Sequence, residues 1–314
     1  MLASLRQVAA ITAVPGIRVG HWTHLQAGTG CTIVLCVEAV AVGVDVRGAA
    51  PATRETDLLR AGSLVGRAHA ILLTGGSAFG LDAAGGVMRY LEERGVGVPT
   101  HAAKVPIVSA AALYDLGLGR ADIRPDAAAG YAACQAASDA SVEEGSVGAG
   151  TGATVAKRFG PDGAIKGGIG SAARTLPDGT VVAALIAVNA VGSIYDPSTE
   201  APIAEPRATS THVRPLIGAN TTIGAIATSA RLDSAAANRL ATLGHDGLVL
   251  AVRPAHTQYD GDTLFAISLP ATDAPPTPMS FALLGEAAAQ VVAEAIVRGV
   301  RAATALHGIP AAGR

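Results

Sequence analysis

Aromatic residues make up only 3% of this 314-residue chain, and charged residues only 15%. With so few rings, the core has to be assembled from Ala, Val, Leu and Ile, with glycine allowing close backbone approach. Half of the chain is hydrophobic, which favours tightly packed layers. A formal net charge of −2 leaves no basic stripe to neutralise phosphates, so nucleic acid is not an expected partner. The three cysteines, Cys31, Cys36 and Cys134, form no CxxC pair, and their odd number argues against a disulfide framework. On one strand, Cys31 and Cys36 would face opposite sides as buried free thiols. No run approaches the roughly 18 apolar residues of a membrane helix. The N-terminal stretch, broken by Thr12 and Pro15, makes a poor signal peptide, so the expected location is cytoplasmic, with no membrane partner.

What is present is a succession of short Val- and Ile-rich runs starting at Ile17, Cys31, Ala39 and Ala70, separated by Gly and Pro, which read as strands. From Leu81 to Glu93 the period changes, placing Leu81, Ala84, Val87, Met88 and Leu91 on one helical face that ends before Gly95. A small-residue helix is expected from Asp126. Two Pro-Asp-Gly turns, at Pro161 and Pro177, divide the middle of the chain into three consecutive antiparallel strands. From Pro197 to Pro215 the chain is polar and aperiodic, a surface loop. Next come a strand after Asn220, a helix from about Asp233 to Val252, a strand from Asp262, and a long helix. Thr277-Pro278 would start that helix and Leu306 lies near its end. Antiparallel sheets with helices on their outer faces make an α+β, αββα layered sandwich. No linker divides residues 1–314, which read as a single domain.

Several motifs fail on inspection. Gly75 to Gly80 resembles a nucleophile elbow, but Phe79 stands where glycine is required. The glycine-rich run Gly148 to Gly152 lacks the preceding strand and following helix of a dinucleotide site. His21 and His24 would point to opposite faces of a strand, and no carboxylate or cysteine cluster completes a metal site. His245 and Asp246 sit inside a helix, and His256 near its end has a reading as a charge complementing the helix terminus. Neither histidine is assigned chemistry. Two features keep a chemical reading open. Asp260 and Asp262 share one face if they enter a strand, where like charges raise one pKa; a polar turn is the alternative. Asn189 interrupts an apolar run, where its amide needs partners or costs about 1–3 kcal/mol; a core network and an oxyanion donor are both open.

Taken together and in order along the chain, VPGIRVGH, DVRGAAPATRETDLL, LTGGSAFGLDAAGGV, GAGTGATVAK, NTTIGAIAT, LGHDGL and HTQYDGDTLFA resemble one family. It is that of the L-aminopeptidase D-amidase/D-esterases, β-aminopeptidases and nylon-oligomer endo-hydrolases. The resemblance implies an N-terminal-nucleophile-type sandwich made as one precursor and cut between Asn220 and Thr221, giving a large subunit 1–220 and a small subunit 221–314. It further implies Thr221 as nucleophile, Asn189 as oxyanion support, Asp260 and Asp262 as the acidic pair, and Lys157 and Tyr114 near the site. No cofactor or metal is implied. The expected substrate is a small amide, peptide or ester, and the resemblance implies a homo-oligomer, a tetramer of the two-subunit unit. The aminopeptidase branch has a serine nucleophile and other residues in place of the aspartates, so this sequence looks closer to the nylon-oligomer branch. An N-terminal threonine acyltransferase and an uncleaved metabolite-binding or assembly protein of the same fold remain alternatives.

Overall fold

The structure, a computed structural model, describes residues 10–207 and 219–312. β-Branched side chains suit a pleated surface, and the apolar runs assemble into two five-stranded sheets. The first comprises β1 (Arg18–His24), β2 (Thr29–Leu35), β4 (Thr53–Arg54), β5 (Ala70–Thr74) and β6 (Val108–Ala112), ordered β1-β2-β5-β6-β4. The second comprises β3 (Ala41–Val46), β7 (Gly168–Thr175), β8 (Val181–Val188), β9 (Ile223–Thr228) and β10 (Thr263–Ser268), ordered β7-β8-β9-β10-β3.

The side-chain alternation of the strands divides the core into layers. Val34, Ile71 and Leu73 of the first sheet meet Leu185, Ala225 and Phe265 of the second in a shared inter-sheet core. On the opposite face of the first sheet, Ile33, Leu72 and Ala110 pack under α1 (Ala83–Glu92) and α2 (Ala127–Gln135). Val182, Ile186, Ile226 and Leu264 pack under α3 (Ser234–Ala251) and α4 (Pro278–Ala302). The result is the expected αββα sandwich. Cys31 and Cys36 lie in different layers, as the alternation requires. Helix starts follow the capping residues: Asp126, Asp233 and Thr277 each accept a backbone N–H of the first turn.

Some expectations are corrected. The sheets are mixed rather than antiparallel, since β5 pairs with β6 and β9 with β10 in parallel. Each parallel pair is joined through a helix, α1 or α3, the connection that parallel strands need. β6 has the sequence VSAAA, whose alanines carry little strand signal; burial on both faces makes it a strand. Of the first expected middle strand only Thr154–Val155 pairs, with Ile165–Lys166, because Ala156 adopts φ +58° and turns the chain. Within the expected loop, Pro202–Ala204 forms a strand against Ser193–Tyr195; residues 208–215 of it lie outside the described residues. α4 stops at Ala302, short of Leu306. By length and mean hydropathy α4 is apolar enough to cross a membrane, yet its apolar face is buried in the core against α3 and the second sheet. It lies close enough to β7 that a Cβ at Gly299 would sit 2.7 Å from Gly170 N.

Candidate active site

The site is set by the register between two parallel strands. Ile223 pairs with Thr263, and the same offset continues upstream to a bridge between Asn220 and Asp260. Thr263 N–H donates to Thr222 O at 3.0 Å, and Gly261 N–H donates to Asn220 O at 3.1 Å. Gly261 has no room for a side chain: a Cβ there would lie 2.4 Å from Ala50 O. The absent side chain lets the segment 260–262 lie against Ala50 and Pro51 while its N–H points at Asn220 O.

Thr221 is buried, and its hydroxyl donates to Asn220 O at 2.5 Å, while its backbone N–H donates to Asn189 O at 2.9 Å. The hydroxyl and the carbonyl of the expected cleavage bond are thus in contact. Asn189, fully buried at the end of β8, has the partners its amide requires. Its Oδ1 accepts from Lys157 Nζ at 2.8 Å and Thr154 N at 3.0 Å, and its Nδ2 donates to Ala219 O at 3.2 Å and Tyr114 O at 3.1 Å. Lys157 Nζ also donates to Ala219 O at 3.0 Å. Burial pushes the Lys157 amine down to about 7, with the Asp260 carboxylate pulling in the opposite direction and Lys166 adding to the depression.

The two aspartates are both buried but held differently. Asp262 is anchored on both oxygens: Oδ1 accepts Thr222 N–H at 2.7 Å, and Oδ2 lies 2.8 Å from His256 Nδ1 and 3.3 Å from the His256 backbone N. Asp260 Oδ2 accepts Thr257 N–H at 2.7 Å, whereas Oδ1 is buried with no hydrogen-bond partner among the described residues. Burial, and next the charge of Asp262, hold the Asp260 carboxyl above the usual carboxylate range. Asp262 is therefore tied down through both oxygens, whereas Asp260 keeps one oxygen open towards the site.

A cavity of about 470 Å³ opens beside this cluster, lined by Tyr114, Leu118, Thr154, Lys157 and Ala219 among others. Two further buried ionisable side chains beside it were not marked by the sequence. Lys166 Nζ donates to Thr151 O at 2.9 Å and to Ala153 O at 2.5 Å. Asp115 accepts from Thr29 Oγ1 and Gly76 N, both at 2.7 Å. Lys166 thus holds the chain at Thr151 and Ala153, on either side of Gly152 in the cavity wall, and Asp115, itself in that wall, holds the turn at Gly76.

All six expected site residues converge here, Tyr114 through its carbonyl on Asn189 and as a cavity wall. His256 needs correcting: α3 ends at Ala251, and His256 sits beyond it against Asp262 rather than at the helix terminus. Gly261, Thr154 and His256 were missed as site residues. A glycine framed by two aspartates was the signal for the first; nothing in the local sequence distinguishes the other two. His21 and His24 bond to Thr32 Oγ1 and Ala27 N instead.

Face-to-face mixed sheets between two pairs of helices are the architecture of the N-terminal-nucleophile hydrolase fold. Solved structures bear out this fold. An L-aminopeptidase D-Ala-esterase/amidase from Ochrobactrum anthropi, described as a variant of that fold, superposes with a TM-score of 0.74 at 21% identity, over 94% of this chain and 86% of its own. A β-aminopeptidase from Burkholderia sp. gives 0.72 at 24% identity, over 100% and 92%. The chain belongs to peptidase family S58, whose model matches residues 9–312, and it is a hydrolase. Relatives include an uncharacterized aminopeptidase of Mycobacterium tuberculosis, 43% identical over 96% of both chains. A 6-aminohexanoate-oligomer endohydrolase of Kocuria sp. is 31% identical, over 91% of this chain and 84% of its own.

Proposed function

We propose that the protein cuts itself between Asn220 and Thr221 and then uses Thr221 as an N-terminal nucleophile to hydrolyse small amide, peptide or ester substrates. The observation that carries this reading is the contact of the Thr221 hydroxyl with Asn220 O, a carbonyl that also accepts the Gly261 N–H. In the first step, Thr221 Oγ bonds to the Asn220 carbonyl carbon and gives up its proton. The carbon–nitrogen bond breaks, the departing nitrogen takes a proton, and an ester remains. Water then opens the ester, leaving an Asn220 carboxylate and a free Thr221 amine.

That amine is the gain from the cut. A threonine hydroxyl is a weak nucleophile, but an α-amine with a pKa of about 7.7–8.0 is partly neutral near pH 7 and serves as the base. Asp260 Oδ1 supplies an acceptor for it. Turnover repeats the chemistry on a substrate carbonyl: Thr221 is acylated, the leaving amine or alcohol takes the proton, and water releases the acid. Asn189 Nδ2 and Lys157 Nζ, which converge on Ala219 O in the uncut chain, supply donors towards developing oxyanion charge; a donor of this kind is worth roughly 2.7–4 kcal/mol.

Replacing Thr221 tests the reading. Intact mass of Thr221→Ala should show one uncut chain, and assays on aminoacyl amides and on 6-aminohexanoate oligomers should show no turnover. The wild type should resolve into two fragments divided after Asn220. A cut or active Thr221→Ala protein would overturn the proposal.

A further inference from the structure

Among the described residues, His256 is the one titratable side chain in contact with the acidic pair to which the catalytic reading gives no task. Its ring is largely buried, and its Nδ1 lies 2.8 Å from Asp262 Oδ2. A carboxylate only accepts, so Nδ1 carries the proton of that bond. The other oxygen of Asp262 accepts the backbone N–H of Thr222, the residue after the nucleophile, at 2.7 Å. On its far side the His256 ring meets His245 edge to face, with centroids 4.8 Å apart, and His245 Nε2 lies 3.1 Å from Asp45 O on β3. A continuous line of contacts therefore runs from β3 through two histidines and Asp262 to the backbone beside Thr221.

We propose that His256 is a positioning residue for the nucleophile: by donating from Nδ1 it fixes the Asp262 carboxylate against Thr222 N–H and so sets where Thr221 presents its hydroxyl and amine. The inference rests on Thr221 being the nucleophile. Asp262 without this donor keeps the Thr222 contact but holds its other oxygen only by the longer 3.3 Å contact with the backbone N of residue 256, and a loosely held carboxylate no longer defines one position for the strand head. The loss falls on the reacting geometry rather than on substrate binding, because His256 does not line the cavity.

His256 has φ +54°, in the left-handed region that favours glycine and asparagine, and this separates a backbone role from a positioning role. His256→Gly relieves the backbone but removes the donor. His256→Asn keeps both the tolerance for that backbone and a side-chain N–H, and His256→Ala keeps neither. For each variant, self-cleavage half-times are followed by intact mass, and kcat and KM are measured on the cut enzyme with an amide substrate that the wild type turns over. Positioning predicts that glycine and alanine slow self-cleavage and lower kcat by roughly 10–100-fold with KM little changed, while asparagine recovers most of the loss. A purely structural role predicts the reverse order, with glycine equal to the wild type. His256→Gly matching the wild type in both steps, or a loss confined to KM, would overturn the proposal. Should the glycine variant not fold, His256→Asn against His256→Ala carries the test: equal self-cleavage half-times and equal kcat in the two would overturn the proposal. Thr221→Ala run in parallel keeps the two readings apart: a wild type that neither cuts nor turns over counts against Thr221, whereas an active wild type matched by His256→Gly counts only against His256.

Discussion

Lys157 and Lys166 are buried lysines whose amines burial pushes down to about 7 from the usual 10.5. Between those values the unfolded chain binds more protons than the folded one, so stability should rise with pH across that window. Asp115, pushed by burial up to about 6 from 3.8, tilts the curve the other way: it costs stability as pH rises from about 4 to 6. Denaturant melts of the uncut Thr221→Ala chain between pH 7.5 and 9.5 check the lysines. Lys166→Met should gain less stability than its parent over that range, by up to about 1.4 kcal/mol per pH unit; parallel slopes would show that burial of Lys166 carries no protonation cost. Asn189→Ala is expected to do more than remove an oxyanion donor. It strips Lys157 Nζ and Thr154 N of an acceptor, at about 1–3 kcal/mol for a buried group left unsatisfied. The variant should both turn over slowly and melt earlier, and unchanged kinetics would remove Asn189 from the site.

At the scale of elements, the small-residue composition works through approach distance. A Cβ at Gly299 would meet backbone atoms of β7 at 2.7–2.8 Å, whereas one at Gly85, exposed on α1, would meet nothing within 4 Å. Gly299→Ala should therefore force α4 off the second sheet and cost about 1–3 kcal/mol. Gly85→Ala should stabilise by about 0.5–1 kcal/mol, because it removes only helix entropy cost. Thermal melts of the two single variants shifting in the same direction would refute this account. The starts of α2, α3 and α4 were legible in the sequence because capping is local: Asp126, Asp233 and Thr277 each bond within their own first turn. The parallel pairing of β5 with β6 and of β9 with β10 was not legible, since it depends on where helices of intermediate length return the chain. β6 was missed because three alanines read as strand only when both faces are covered.

Across the whole molecule, the proposed cut falls in the middle of a shared sheet. β9 and β10 belong to residues 221–314, yet β8 flanks one side of this pair and β3 the other, both from residues 1–220. The small fragment is thus hydrogen-bonded on two edges by the large one, and its helices cover the same sheet. Cut protein should elute as one species on native size exclusion and unfold in one transition, its fragments separating only in denaturant; elution of free small fragment would contradict this topology. The sequence by itself determined the layered class, the helix starts and the candidates for the site, because alternation, capping and an ordered set of motifs are properties of neighbours along the chain. Only the tertiary structure decided that Gly261 N–H points at Asn220 O, that Lys157 and Asn189 meet at Ala219 O, and that His256 braces Asp262. Those contacts join residues brought side by side by a strand register and by the packing of separate layers, and nothing in a local stretch of sequence encodes that register.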